Sequence, residues 1–195
     1  RLVSGFFYGS NNRDAVVIIL EASSGVIMGE GVSSDDRLLI TELLGREPRG
    51  LAAVQVRNVK GEPSVIRVES LVDQKPFPTL FWLIDKELNY WLDGLEAAGN
   101  ISVLQHQIDT CADLKSQLAS DHASYIAARD NYMSAGIRKQ LTDLNYLAAL
   151  QKKGIGGISD FTRIRCFHTY YAAHLVQSNV VGSMIDQHFL RGISS

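Results

Sequence analysis

The stretch 51-LAAVQVRNVKGEPSVIRVESLVDQKPFPTLFWLI-84 decides the fold. Residues 51–57 are apolar and partly β-branched and read as a strand. Lys60-Gly61-Glu62-Pro63 is a turn, and residues 64–72 return as a second strand. Asp73-Gln74-Lys75-Pro76 is another turn, and the aromatic run 77–84 is the third strand, with Pro78 near its start where proline is tolerated. Three successive strands joined by short turns make a small antiparallel meander.

Outward from this sheet the chain is helical. Upstream, Ser33-Ser34-Asp35-Asp36 is an N-cap cluster ahead of a short helix over 37–45, which Pro48-Arg49-Gly50 closes off. Downstream, Asp85 caps a helix that stops at Gly99-Asn100. A long helix over about 102–135 follows, ended by Gly136, and another spans 137–152. Ser159-Asp160 caps the last main helix, running to about 177, and Asn179-Val180-Val181-Gly182 leads into a short tail. The class is α+β, a small antiparallel three-stranded meander followed by a bundle of about four helices. Residues 1–27 read as an appendage, either an added strand over 15–20 or sequence upstream of a natural start at Met28. Residues 28–195 read as a single α+β domain.

Composition bounds the function. The chain has 195 residues, 46% of them hydrophobic and 21% charged, with net charge −2. That balance gives no global positive field for nucleic acid or anionic membrane, so neither is expected as a partner. Two cysteines are too few for a disulfide framework, and no apolar run reaches the length of a membrane span. A cytoplasmic protein is expected.

Three groups of residues carry chemistry. His122, Tyr125 and Arg129 stand at helical spacing, so an imidazole, a phenol and a guanidinium share one face of the long helix. Such a face binds a carboxylate or phosphate, or packs half-exposed with Arg129 paired to a carboxylate. Gly154-Ile155-Gly156-Gly157-Ile158 ahead of a capped helix resembles an anion-binding turn, with Lys152, Lys153, Arg163 and Arg165 around it. A tight helix–helix connection needing positive φ is the alternative. Cys166, His168 and His174 suggest a metal. On a regular helix, however, Cys166 and His168 lie roughly 200° apart, and Cys166 and His174 are separated by ~12 Å of rise. Read this way the three are no zinc site, and Cys166 is a small core residue.

Several of these segments also carry a resemblance. The run 75–83 (KPFPTLFWL), Leu95-Glu96-Ala97-Ala98-Gly99, His122 with Tyr125 and Arg129, residues 154–158 (GIGGI), Arg165-Cys166-Phe167-His168 and residues 179–182 (NVVG) occur in matching order and spacing. Over about residues 36–186 the chain resembles the bacterial domain of unknown function 501 family. The resemblance implies a cytoplasmic bacterial protein, often encoded near exopolyphosphatase-type phosphatases and small division proteins; it implies no reaction. Many members carry a Cys-Pro at the first hairpin and another after the aromatic strand. This chain holds Asn58-Val59 and Asp85-Lys86 there. A cysteine-rich metal site implied by the family would thus lack two ligands, with Asp85 the one oxygen substitute.

The leading expectation is a polar pocket between the His122–Tyr125–Arg129 face and the segment 154–168 that binds a phosphate-bearing or other anionic ligand. Arg129 and Arg165 would hold the anion, Gly156 and Gly157 would offer amides, and His122 or His168 would move a proton if a reaction occurs. On that reading, Arg129→Ala and Arg165→Ala abolish ligand-induced stabilisation without unfolding the protein. One alternative is a non-catalytic module whose helical face binds a partner protein. Another is a metal-dependent enzyme, which requires Cys166, His168 and Asp85 around one point.

Overall fold

A computed structural model describes residues 29–190. The segment 1–27, read above as an appended strand or an upstream extension, and Met28, read as a natural start, lie outside the described residues. Helix α1 (Ser34–Leu44) starts where the polar cluster predicts. Ser33 accepts from the Asp36 N–H while Asp36 accepts from the Ser33 N–H, a reciprocal capping box, and Gly45 closes the helix at φ 68°. Asp36 also takes a two-pronged bond from Arg57 (2.8 and 3.0 Å), which ties the helix to the sheet and holds the Asp36 carboxyl well below the ordinary carboxylate range.

The meander is present, with one elaboration. Strands β1 (Leu51–Arg57) and β2 (Pro63–Val68) pair antiparallel. The predicted second strand then breaks, because its end turns into a small separate hairpin of β3 (Leu71–Val72) and β4 (Lys75–Pro76). Asp73 and Gln74 at its tip both have positive φ (50° and 59°), the geometry that a two-residue hairpin demands. Strand β5 (Phe81–Leu83) returns to the main sheet, giving the order β1-β2-β5. It is shorter than the aromatic run, since residues 77–80 stay irregular and take their bonds from elsewhere. Alternation across the sheet divides the core. Val65 and Phe81 join the large helical core, whereas Val54, Ile66, Val68 and Ile84 pack with Ile40 of α1.

Helix α2 (Lys86–Ala97) begins at Asp85, whose Oδ1 accepts from the Glu87 and Leu88 N–H groups (3.0 and 3.1 Å). The long helix expected next is two helices, α3 (Asn100–Thr110) and α4 (Ala112–Tyr132), broken at Cys111, which is extended at φ −121°, ψ 112°. The Thr110 hydroxyl donates to the His106 carbonyl (2.8 Å), a side-chain bond that competes with the last helical turn. Helices α5 (Ala135–Asp143) and α6 (Leu147–Leu150) replace the single helix predicted over 137–152; Asn145, at φ 58°, makes the break.

The last main helix differs most. Helix α7 (Phe167–Val176) starts well after the predicted cap at Ser159-Asp160. Asp160 instead accepts from the Thr162 N–H and hydroxyl (3.0 and 2.7 Å), which makes a local turn. The backbone that follows is held by one side chain of α3: Gln105 donates to the Thr162 carbonyl (2.9 Å) and accepts from the Ile164 N–H (2.8 Å). With these groups bonded at a distance, residues 162–164 have no need of a helical ladder. Apart from His168 and Thr169, every residue of α7 is buried, and the helix packs on β5, on α2 and on α8 (Val180–Ile185). A π-helical turn, Asp186–Leu190, completes the described residues.

Candidate functional site

On α4, His122, Tyr125 and Arg129 are buried and Asp121 beside them is half-buried, and each grips main chain from another segment. Asp121 accepts from the Val180 N–H (2.7 Å), His122 from the Ile155 N–H (3.0 Å) and Tyr125 from the Leu80 N–H (2.6 Å). Arg129, only 1% exposed, donates to the carbonyls of Pro78 (2.9 Å), Leu150 (2.6 Å) and Lys153 (2.7 Å). Irregular backbone buried without partners is costly, and this stripe supplies partners for the connections over 77–80 and 150–155. Burial pushes the Tyr125 hydroxyl up to about 12 and lowers the Arg129 guanidinium. The predicted convergence of His122, Tyr125 and Arg129 on one face is present; their polar atoms are turned to protein.

His122 shows how complete this is. Its Nδ1 accepts from Ile155, which places the ring proton on Nε2 for donation to the Tyr170 hydroxyl (3.0 Å). Tyr170 in turn donates to the Arg163 carbonyl (2.8 Å), and Phe161 stacks on the imidazole with centroids 4.6 Å apart. Burial lowers the His122 pKa to about 4, against 6.5 ordinarily. The unfolded chain takes up a proton as pH falls through about 6.5, whereas the native imidazole resists until about 4. Stability is therefore full above pH 6.5 and falls by about 3 kcal/mol as pH drops to 4. Urea unfolding at pH 7.5 and 4.5 should show most of this loss. A His122→Gln variant should be less stable throughout and lack that part of the pH slope.

The glycine turn serves the same connection. Gly156 and Gly157 are both left-handed (φ 68° and 71°), and Gly157 N–H donates to the Gly154 carbonyl (3.0 Å) within the turn. Gly154 is needed for space: a Cβ there would press on His122 Nδ1 and lie 2.8 Å from its Cγ. Arg165 is exposed and donates to the Gly156 carbonyl (2.9 Å), and Arg163 pairs with Asp109 (3.3 Å).

A second constellation forms where helical spacing argued against one. Cys166 precedes α7 with extended backbone (φ −155°, ψ 153°), so the 200° separation from His168 does not apply. The Cys166 thiol, His168 imidazole and Glu96 carboxylate offer one ligand atom each, all within 4.8 Å of one another. Glu96 Oε1 accepts from the Phe167 N–H (2.5 Å) and meets His168 Nδ1 at 3.0 Å. The other ring nitrogen of His168 faces Asp93 Oδ1 (3.3 Å) and the Asn89 carbonyl (3.4 Å). Cys166 Sγ touches the Thr169 hydroxyl (3.2 Å). All three ligand residues are half-buried, so solvent reaches them.

Asp85, the predicted oxygen ligand, is absent from this group. It caps α2 and meets Asn58 Nδ2 at 3.4 Å, so the two positions at which the resemblance implies cysteines do adjoin. His174 is apart as well: its Nδ1 accepts from the Asn179 N–H and its Nε2 meets Asp186, each at 3.1 Å. Sequence reasoning missed Glu96, for which the sequence holds no strong functional signal. A faint one exists, because α7 opens without Ser, Thr, Asp or Asn at its start, which calls for a carboxylate from a distant segment.

Among the described residues, no helix is long and apolar enough to cross a membrane. No curated protein and no solved structure matches the chain. A family model does match, over residues 54–187, covering most of the sheet, the α4 stripe and the Glu96–Cys166–His168 group. By that match the chain belongs to the family described as protein of unknown function (DUF501).

Proposed function

We propose that the protein binds a single zinc-class divalent ion through Glu96, Cys166 and His168. The observation that carries this reading is the gathering of a carboxylate, a thiol and an imidazole from α2 and the start of α7. Mixed sulfur, nitrogen and oxygen donors suit zinc or cobalt. His168 would ligate through Nδ1 while its Nε2–H is oriented by Asp93 and the Asn89 carbonyl, the outer-shell support that metal-binding histidines use. Glu96 has a second oxygen to offer while Oε1 holds the Phe167 N–H. Three protein ligands leave a fourth position for water or an anionic oxygen donor. That position carries the anionic ligand class over to this site, with Arg165 anchored on Gly156 beside Thr169.

The test is cobalt titration of the metal-stripped protein, followed by its thiolate charge-transfer band, with metal content measured after dialysis against zinc. One equivalent is expected. Cys166→Ser and His168→Gln should each weaken binding at least a hundredfold, and Asp93→Asn by roughly ten- to a hundredfold. No stoichiometric binding, or unchanged affinity in the Cys166 and His168 variants, would leave Glu96 as a helix cap and overturn the metal reading.

A further inference from the structure

A cavity of about 340 Å³ lies away from these groups, between α4 and α8. That is within the size range of small-molecule sites. Its walls are mixed: Leu114 and Met184 are apolar, Gln117, Ser183 and Gln187 are uncharged and polar, and Asp121 is the single charged group lining it. One oxygen of Asp121 is engaged with the Val180 N–H. Among the described residues no cation forms an ion pair with this carboxylate; His174, the basic group that acts on it, is bonded to Asn179 and Asp186 instead. Burial raises the Asp121 carboxyl above the ordinary carboxylate range. A half-buried carboxylate with no ion-pair partner, facing a cavity, is stabilised by whatever brings a positive charge to it.

We infer that this cavity binds a small alkylammonium compound, its cationic head on Asp121 and its methylenes against Leu114 and Met184. The ammonium group has three hydrogens and no acceptor, and the wall offers the matching acceptors in the Asp121 carboxylate, the Ser183 hydroxyl and the side-chain carbonyls of Gln117 and Gln187. A phosphate or carboxylate ligand would meet repulsion here, so this site is distinct in chemistry from the proposed metal centre, and neither depends on the other.

Isothermal titration with putrescine and with butylamine tests it, with 1-butanol as the neutral counterpart. Both amines are expected to bind with one site per chain and 1-butanol to give no heat. Asp121→Asn isolates the charge, because the asparagine carbonyl still accepts the Val180 N–H and the start of α8 is kept. That variant should bind putrescine at least tenfold more weakly with its thermal unfolding little changed. Ser183→Leu, which fills the cavity from the α8 side while leaving Asp121 intact, should also abolish binding. Absence of amine binding to the unmodified protein, equal binding of 1-butanol, or full affinity in Asp121→Asn would each overturn the inference.

Discussion

Arg129→Ala is expected to destabilise the free protein by about 3–5 kcal/mol, the range for breaking a buried charged network. Three carbonyls, those of Pro78, Leu150 and Lys153, converge on this one guanidinium, and no carboxylate shares it among the described residues. Removing the side chain strands all three in the interior and leaves a cavity at a fully buried position. Arg129→Lys should recover only a minor part, because one ammonium is too compact to reach carbonyls on both connections. Arg165→Ala, at an exposed position, should stay within about 0.5 kcal/mol of the unmodified protein. Urea unfolding of the three variants separates these outcomes. A mild Arg129→Ala would mean that the connections find other partners.

Gly154→Ala should be nearly as damaging, by about 3–5 kcal/mol, for a steric reason. The backbone at φ −85° is open to any residue, so no strain in φ is involved. The added methyl would sit against the His122 ring, which is stacked on Phe161 and bonded at both nitrogens and has nowhere to go. Moving the ring breaks the bonds to Ile155 and Tyr170 together. The mechanism predicts strong coupling: in a His122→Ala background the same Gly154→Ala change should cost more than 1 kcal/mol less. Additive losses would place the damage in the turn itself.

What the sequence disclosed and what it hid divide by the reach of the interactions. The caps at Ser33 and Asp85 and the hairpin turns are local, made between residues two to four apart, and their residue types announce them. The three strands and the α+β class follow from the same local signals. The break at Cys111 and the late start of α7 depend on a threonine folding back on its own helix and on Gln105 and Glu96 reaching across the fold. No composition rule marks an ordinary glutamine as the partner of residues 57 and 59 positions away. The α4 stripe was legible as a shared face, but its partners are main-chain groups, which every residue carries and no residue type reveals. Glu96 was hidden because a carboxylate on a helix surface is unremarkable until the neighbouring helix is in place.

The Gln105 clamp has a consequence for time as well as for shape. One side-chain amide does for residues 162–164 what a paired strand does elsewhere, so the segment 158–166 can part from α3 by losing the two Gln105 bonds and the exposed Arg163–Asp109 pair while the helices stay folded. In hydrogen exchange the Ile164 amide should therefore exchange by sub-global opening, well ahead of the α7 core amides, and Gln105→Ala should accelerate it selectively. Cys166 lies at the end of that segment. Its thiol would thus be presented and withdrawn on the clock of a single glutamine.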